Sequence, residues 1–313
     1  LVKNLELNGV RNNITLSDSP EKIAPRFTEF FDRILVDAPC SGEGMFRKEP
    51  DVIKSWNEEK TEFCVNAQRD ILESCAKMLR PGGKIMYSTC TFSPEENEKT
   101  INDFLNSHRD FEIEEIPKNY GFMPGMPEKI TGGSENLKCA ARLFPFKLKG
   151  EGHFMCLMSK NGESKTITDS KPIADKDKRM EIFEKFRKES LKINFEGNFV
   201  LHKDSLFLQP CGMPDLKGIR TARSGWYLGD FKKDRFEPSY ALAAALKKDE
   251  AVLTADLAAD GTDVIKYLKG ETIDFDSDKS GYCLVTVSGK SLGWAKLVNG
   301  RLKNKYPAYM MWD

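Results

Sequence analysis

Two segments, RILVDAPC (33–40) and KIMYSTC (84–90), share one plan: a basic residue, a short apolar run and a cysteine at its carboxyl end. Between them Phe63, Ala67, Ile71, Cys75 and Met78 recur at spacings of three and four. That spacing predicts a helix ending near Leu79 with one apolar face turned to a sheet. The same alternation extends outward: a short helix at Leu1 to Leu7, the strand NITL, a helix near Glu95 to Ser107, and late strands in FEIEEI, CAARLFPF and GHFMCLMS. Such a pattern argues for a mostly parallel, doubly wound sheet. In such a sheet ligands sit in the crevice outside the carboxyl ends of the strands, so neighbouring strands deliver Cys40 and Cys90 toward one bound molecule. A lone buried cysteine is more often a small hydrophobe filling space. Two at equivalent strand ends, each followed by a polar loop, argue against that.

At 313 residues the chain exceeds the usual domain of about 100 to 200, so two or three domains are expected. The stretch SKNGESKTITDSKPIADKDKR is polar and almost free of large apolar residues, which marks a linker at 161–180. It separates a first domain, 1–160, from a middle α+β segment, 181–250, and short strands with glycine turns at 251–313. Lys plus Arg and Asp plus Glu both number 48, so any basic surface is local. Eight cysteines without a C-x-x-C pair, and three scattered histidines, offer no metal-ligand spacing and fit a reduced, cytoplasmic protein. No apolar run approaches the roughly 18 residues that span a bilayer, so no membrane association is expected. The chain begins inside a helix-like pattern without an initiating methionine, and reads as cut from something longer.

An acid and two thiols suit one demanding reaction. A thiolate is a soft nucleophile, and a site can lower its ordinary pKa of about 8.5. Carbon 5 of cytosine is too electron-poor to take a methyl group until a thiolate adds at carbon 6. A nearby carboxyl eases that addition at ring nitrogen 3, and a base must then remove the carbon 5 proton. The pattern leaves open which cysteine attacks.

DAPCSGEGMFRKEP followed by QRDILESCAKMLRPGGKIMYSTCTFSPEENE resembles the Sun-type family of RNA cytosine-5 methyltransferases, in particular its bacterial branch acting on small-subunit ribosomal RNA. ARLFPFKLKGEGHFMCL and GWAKLVNGRLKNKYP are also similar to that branch. The resemblance implies an α/β fold: a Rossmann-like methyltransferase core, N-terminally incomplete, then a small α+β domain and a C-terminal PUA-like β-barrel. It implies Cys90 as the attacking thiolate, Cys40 as the thiol assisting product release, and Asp37 as the residue holding or protonating the ring. The implied cofactor is S-adenosylmethionine, held by Asp18, Asp37 and Pro39. Asp18 reads equally as a turn acid before Ser19-Pro20. The implied partner is RNA, ribosomal RNA before transfer RNA, met by a full-length protein expected to be monomeric.

A cofactor loop must follow a strand and open a helix. Arg80 to Lys84, RPGGK, follows a helix and precedes a strand, so it ends the helix instead of binding the cofactor. A sheet without its first strands would expose an edge and an apolar face. Arg47 and Lys48 read as phosphate contacts or as a solvated basic pair. Lys290, Lys296, Arg301, Lys303 and Lys305 surround Trp294 with no intervening acid, a pattern that fits phosphate contact plus stacking on an unpaired base. Lysines guarding a sheet edge are the plainer alternative. Phe146 stands where the branch often has His. The competing function is a non-catalytic RNA-binding or assembly factor on a methyltransferase-like core.

Overall fold

The computed structural model describes residues 1–163 and 177–313, so most of the expected linker lies outside the described residues. In chain order the elements begin with α1 (Val2–Leu7), β1 (Thr15–Leu16), α2 (Pro20–Ile23), β2 (Phe31–Asp37), α3 (Asp51–Ser55), α4 (Glu58–Met78) and β3 (Leu79–Thr89). A π-helical turn, Glu95–Lys99, then leads into α5 (Thr100–Ser107), and four strands follow: β4 (Phe111–Glu114), β5 (Met123–Pro124), β6 (Ala141–Leu143) and β7 (His153–Lys160). Beyond the linker come α6 (Met180–Ser190), β8 (Asn198–His202), β9 (Ser205–Gln209), β10 (Thr221–Arg223), β11 (Trp226–Phe231), β12 (Phe236–Pro238) and α7 (Tyr240–Ala245). The last elements are β13 (Thr254–Leu257), α8 (Thr262–Leu268), β14 (Ile273–Asp274), β15 (Gly281–Val287), β16 (Lys290–Val298) and β17 (Arg301–Asn304).

The chain divides into two compact units. One spans residues 18 to 163 with 214–217; the other holds 1–17, the described residues among 168–213, and 218–313. In the first, a six-stranded sheet runs β2-β3-β7-β6-β5, with β4 also on β7. β2 and β3 are parallel, from Ile34 opposite Ile85 to Asp37 opposite Ser88. The pairs from β3 to β7 and those of β4, β5 and β6 are antiparallel, which corrects the expectation of a mostly parallel sheet. A parallel pair needs a crossover, usually an α-helix, and after α5 no α-helix intervenes between the strands of this sheet. β2 is one edge of the sheet, and Leu35 on it is 73% exposed.

The α4 face is also offset from the sequence reading. Phe63 is 70% exposed, while Cys64, Gln68, Leu72 and Cys75 are buried. A polar residue, Gln68, occupies the centre of the buried stripe because its amide has partners there, and counting apolar residues alone slides the stripe by one position.

In the second unit α1 packs against α7, and Gly9, at φ +64, lies against the backbone of Ala244 too closely for any Cβ. Arg11 ion-pairs with Glu250 and lies 4.9 Å over the Trp226 ring. The strand expected in NITL forms, but its two residues pair antiparallel with β10 and not with the six-stranded sheet. Four antiparallel strands run in the order β12-β11-β9-β8, and five in the order β13-β15-β16-β17-β14. Phe183, Leu206 and Trp226 share one hydrophobic core with Leu284 and Trp294, so the middle segment and the final strands are packed as one body. Tyr267, Val285 and Leu297 belong to a second cluster on the five-stranded sheet.

Candidate active site

Parallel pairing of β2 and β3 brings the two loops that follow them side by side. The Cys40 and Cys90 sulfurs are 3.2 Å apart, and the Cys90 N–H donates to Cys40 Sγ at 3.4 Å. Asp37 and Pro39 sit at the end of β2 with exposed side chains. Gly44 makes the approach of the loops possible: its N–H donates to the Cys90 carbonyl at 2.9 Å, and a Cβ there would collide with that oxygen and with Gly152. The sequence-predicted thiols and acid are thus brought to one corner of the sheet.

Beneath them lies a polar network whose central acid, Glu96, the sequence reading missed, although Gln68 reads from sequence as a structural residue on the helix behind the site. Glu96 is 0% exposed and accepts from the Ser41 N–H at 3.0 Å, the Ser41 hydroxyl at 2.5 Å and the Gln68 amide at 3.0 Å. Gln68 also donates to the Pro39 carbonyl at 2.8 Å. Ser41 Oγ is 2.8 Å from Thr91 Oγ1, which donates to Glu43 at 3.1 Å. Glu43 takes a further bond, 3.0 Å, from the Phe92 N–H. One buried carboxylate therefore ties the backbone just before and after Cys40 to α4, and through Ser41 to the residue after Cys90. Next to it Glu98 forms a buried ion pair with Arg142, whose guanidinium also donates to the Phe92 carbonyl at 3.1 Å. The run PEENE was the available signal: three acids on one π-helical turn, two of them, Glu96 and Glu98, buried.

The pair divides its titration unequally. The hydrogen bond from the Cys40 thiol lowers the Cys90 pKa to about 7, against opposing burial and the negative charges of Asp37 and Glu96. Cys40 moves the other way, raised first by that same hydrogen bond and then by burial. The backbone donor aimed at Cys40 favours charge there, but it is the weaker influence, so the shared negative charge resides on Cys90. Burial pushes the thiols of Cys75 and Cys283 up to about 12 and that of Cys156 higher still. Those thiols are inert, and Cys90 stands apart. Burial also raises the Glu96 pKa, opposed by its three donors.

The other expected residues lie elsewhere. Asp18, just before α2, has its carboxylate engaged by Lys22 at 2.7 Å. Arg47 is exposed and donates to Glu151 and to the Gly150 carbonyl, each at 3.0 Å; Lys48 beside it is exposed. Arg80 to Lys84 begins β3 directly after α4, with Gly82 at φ +73, in keeping with a helix-to-strand turn. Trp294 is a correction. Its ring is 2% exposed, its N–H donates to the Ser239 carbonyl at 3.0 Å, and it packs in the core, so it presents no face to a base. Along β16 Trp294 is buried in the core while Lys290 and Lys296 are exposed. Lys296 stands directly opposite Lys303 on β17, and neither has an acidic partner among the described residues. Arg301 pairs with Asp274 at 3.2 Å and Lys305 with Glu237 at 3.4 Å.

Among the described residues no helix is long and apolar enough to cross a membrane. The family model for 16S rRNA methyltransferase RsmB/F matches residues 1–159, that for the RsmF rRNA methyltransferase first C-terminal domain 185–246, and that for the methyltransferase RsmF PUA domain 254–312. Ribosomal RNA small subunit methyltransferase F of Shewanella loihica is 31% identical, covering 96% of this chain and 63% of the relative. The protein of the same name from Vibrio vulnificus is 26% identical over 99% of this chain and 66% of its own length. A solved structure described as NSun6 from Pyrococcus horikoshii with SFG is 25% identical over 52% of this chain and 38% of its own, with a TM-score of 0.38. The chain spans less than two thirds of the length of these curated relatives. With its first half matched by the catalytic-domain model and both C-terminal segments by their own, the chain belongs to the 16S rRNA methyltransferase RsmB/F family.

Proposed function

We propose that the chain carries the catalytic centre of an S-adenosylmethionine-dependent RNA cytosine-5 methyltransferase acting on ribosomal RNA in the cytoplasm. The observation that carries this reading is the 3.2 Å approach of Cys40 and Cys90 at adjacent parallel strand ends, beside an exposed Asp37.

Cys90, the more readily ionised thiol, bonds to carbon 6, and the electrons of the 5,6 double bond move toward carbon 5 and the ring nitrogen. Asp37 and ring nitrogen 3 share a proton, which moves onto the nitrogen as the addition proceeds and back to Asp37 when the Cys90 sulfur leaves. When bound, S-adenosylmethionine supplies the methyl group. Asp37 and Pro39, exposed outside the carboxyl end of β2, fit one wall of such a site, whereas Asp18 would first have to exchange its Lys22 partner. While Cys90 is joined to carbon the negative charge opposite Cys40 is gone, so the influence that kept Cys40 protonated is relieved. Cys40 can then release its own proton to solvent, and the thiolate so formed accepts the carbon 5 proton, directly or through water. The electrons of that C–H bond restore the double bond and the Cys90 sulfur departs as thiolate. Lys290, Lys296 and Lys303, exposed and without acidic partners, supply phosphate contacts on the five-stranded sheet.

The test is covalent trapping. Cys40→Ala accumulates a protein–RNA adduct that survives denaturing electrophoresis, and Cys90→Ala forms none. Bisulfite sequencing of 16S ribosomal RNA from cells whose gene carries Cys90→Ala reads a lost 5-methylcytidine. An adduct in Cys90→Ala would reverse the two roles, and unchanged methylation would end the reading.

A further inference from the structure

Three rings form a stacked column that leaves the Cys90 loop and ends at the surface. Phe92, two residues after Cys90, lies 5.4 Å from Phe144 at an interplanar angle of 17°, and Phe144 lies 5.1 Å from Phe146 at 23°. The inner residue is held through its backbone and by a close neighbour. Its backbone N–H is held by Glu43 and its carbonyl by Arg142, and Gly152 packs so closely that any side chain there would collide with the ring. Arg142, anchored by buried Glu98, also lies 5.9 Å from the Phe144 centroid. The outer ring is the opposite case, with Phe146 73% exposed. A single exposed aromatic needs no explanation, but a parallel stack with a rigid base and a free outer face is a surface on which another flat ring continues the series. Lys147 and Lys149, both exposed in the same loop, form no ion pair among the described residues, and they place positive charge beside that face.

We infer that Phe146, backed by Phe144 and Phe92, is a stacking platform for an unpaired RNA base next to the target nucleotide, with Lys147 and Lys149 meeting the adjoining phosphates. The inference rests on the reading of Cys90 as the reacting thiol, since the column shares its loop, and it gives that reading a contact for the substrate flank. Stacking is tolerant of base identity, so the platform positions the strand and does not select its sequence.

The experiment uses the whole chain and a short single-stranded RNA with 2-aminopurine beside its one cytidine. Stacking quenches the 2-aminopurine fluorescence on binding. Phe146→Ala should weaken affinity about tenfold and remove most of the quenching, Phe146→Leu should behave like the alanine variant, and Phe146→Trp should keep both signals. Because the side chain is exposed, all three variants should melt with the wild type. Unchanged affinity and quenching in Phe146→Ala would overturn the proposal, as would full retention in Phe146→Leu. If Phe146→Ala instead abolishes a self-association seen by sedimentation while leaving quenching intact, the occupant is a second copy and the proposal fails. The two readings fail separately: a Cys90 adduct without any Phe146 effect removes only the platform, and a Phe146 effect without an adduct removes only the chemistry.

Discussion

Around Cys40 and Cys90 the polar groups are inside and the reacting atoms are reached from the edge, with Glu96, Gln68 and Ser41 sealed beneath two half-exposed sulfurs. On β16 and β17 the arrangement is inverted: the aromatic ring of Trp294 is inside and the cations of Lys296 and Lys303 are outside. Geometry that must be kept to a fraction of an ångström needs buried hydrogen bonds with no alternative partners. Attraction of a polyanion needs only charge at the surface, and long flexible cations supply it without fixed positions. The two regions should therefore respond to substitution in different currencies, the first in stability and thiol chemistry, the second in salt-dependent affinity.

The contrast breaks first if the buried side proves soft. Arg142→Met leaves Glu98 charged, 0% exposed and without its guanidinium, a change that should cost about 3–5 kcal/mol. Denaturant unfolding should show it as a lowered midpoint. A loss under about 1 kcal/mol would mean that the pair is not sealed from water. Next in size is Trp294→Ala, which empties a core position and removes one of two donors to the Ser239 carbonyl, for about 3 kcal/mol. RNA affinity measured well below the new melting temperature should be nearly unchanged. A selective loss of RNA binding with unaltered stability would restore Trp294 as a stacking residue.

What the sequence made legible follows the same division. RILVDAPC and KIMYSTC could be read as strands ending in thiols because apolar runs and cysteines are visible one residue at a time, and their parallel pairing follows from the helix between them. The support of the site could not be read in this way. Glu96 is a polar residue in a buried position, and a reading that assigns polarity to the surface misplaces it by construction; the one-residue offset that leaves Phe63 exposed has the same origin. Trp294 failed for the converse reason, since an aromatic among lysines has no sign telling which face of the strand it takes until its pairing is known. β1 was recognised as a strand but not its partner, because two residues of pattern carry no register.

A smaller effect sharpens the chemistry of the first region. The Cys40 thiol donates to Cys90 and favours its thiolate, while Asp37 on β2 and Glu96 on the π-helical turn oppose it. In Cys40→Ala the pH midpoint for alkylation of Cys90 should therefore rise from about 7 toward the ordinary thiol value near 8.5, equivalent to about 2 kcal/mol. The sign is fixed by which state the bond stabilises: removing a donor to the charged form makes that form harder to reach. Rates of iodoacetamide labelling across pH, read at Cys90 by peptide mass spectrometry, measure the shift, and a midpoint that stays put or falls would show that Cys40 is not the donor.

The smallest effect belongs to the exposed side and distinguishes it most sharply. Lys296 and Lys303 face one another across β16 and β17, and like charges directly opposite weaken a strand pair by up to about 0.5 kcal/mol. Lys296→Gln should then leave the fold as stable as before or slightly more so, while lowering RNA affinity and reducing the slope of log affinity against log salt by about 0.7, the value for one phosphate contact on a single strand. Lys303→Gln should do the same, and the double variant should reduce the slope by about twice as much. Arg301→Gln, whose charge is already met by Asp274, should alter the slope less than either lysine. If the slope is unmoved while stability rises, the lysines guard a sheet edge and the RNA contact lies elsewhere, because relief of their repulsion would then be the whole consequence of removing them.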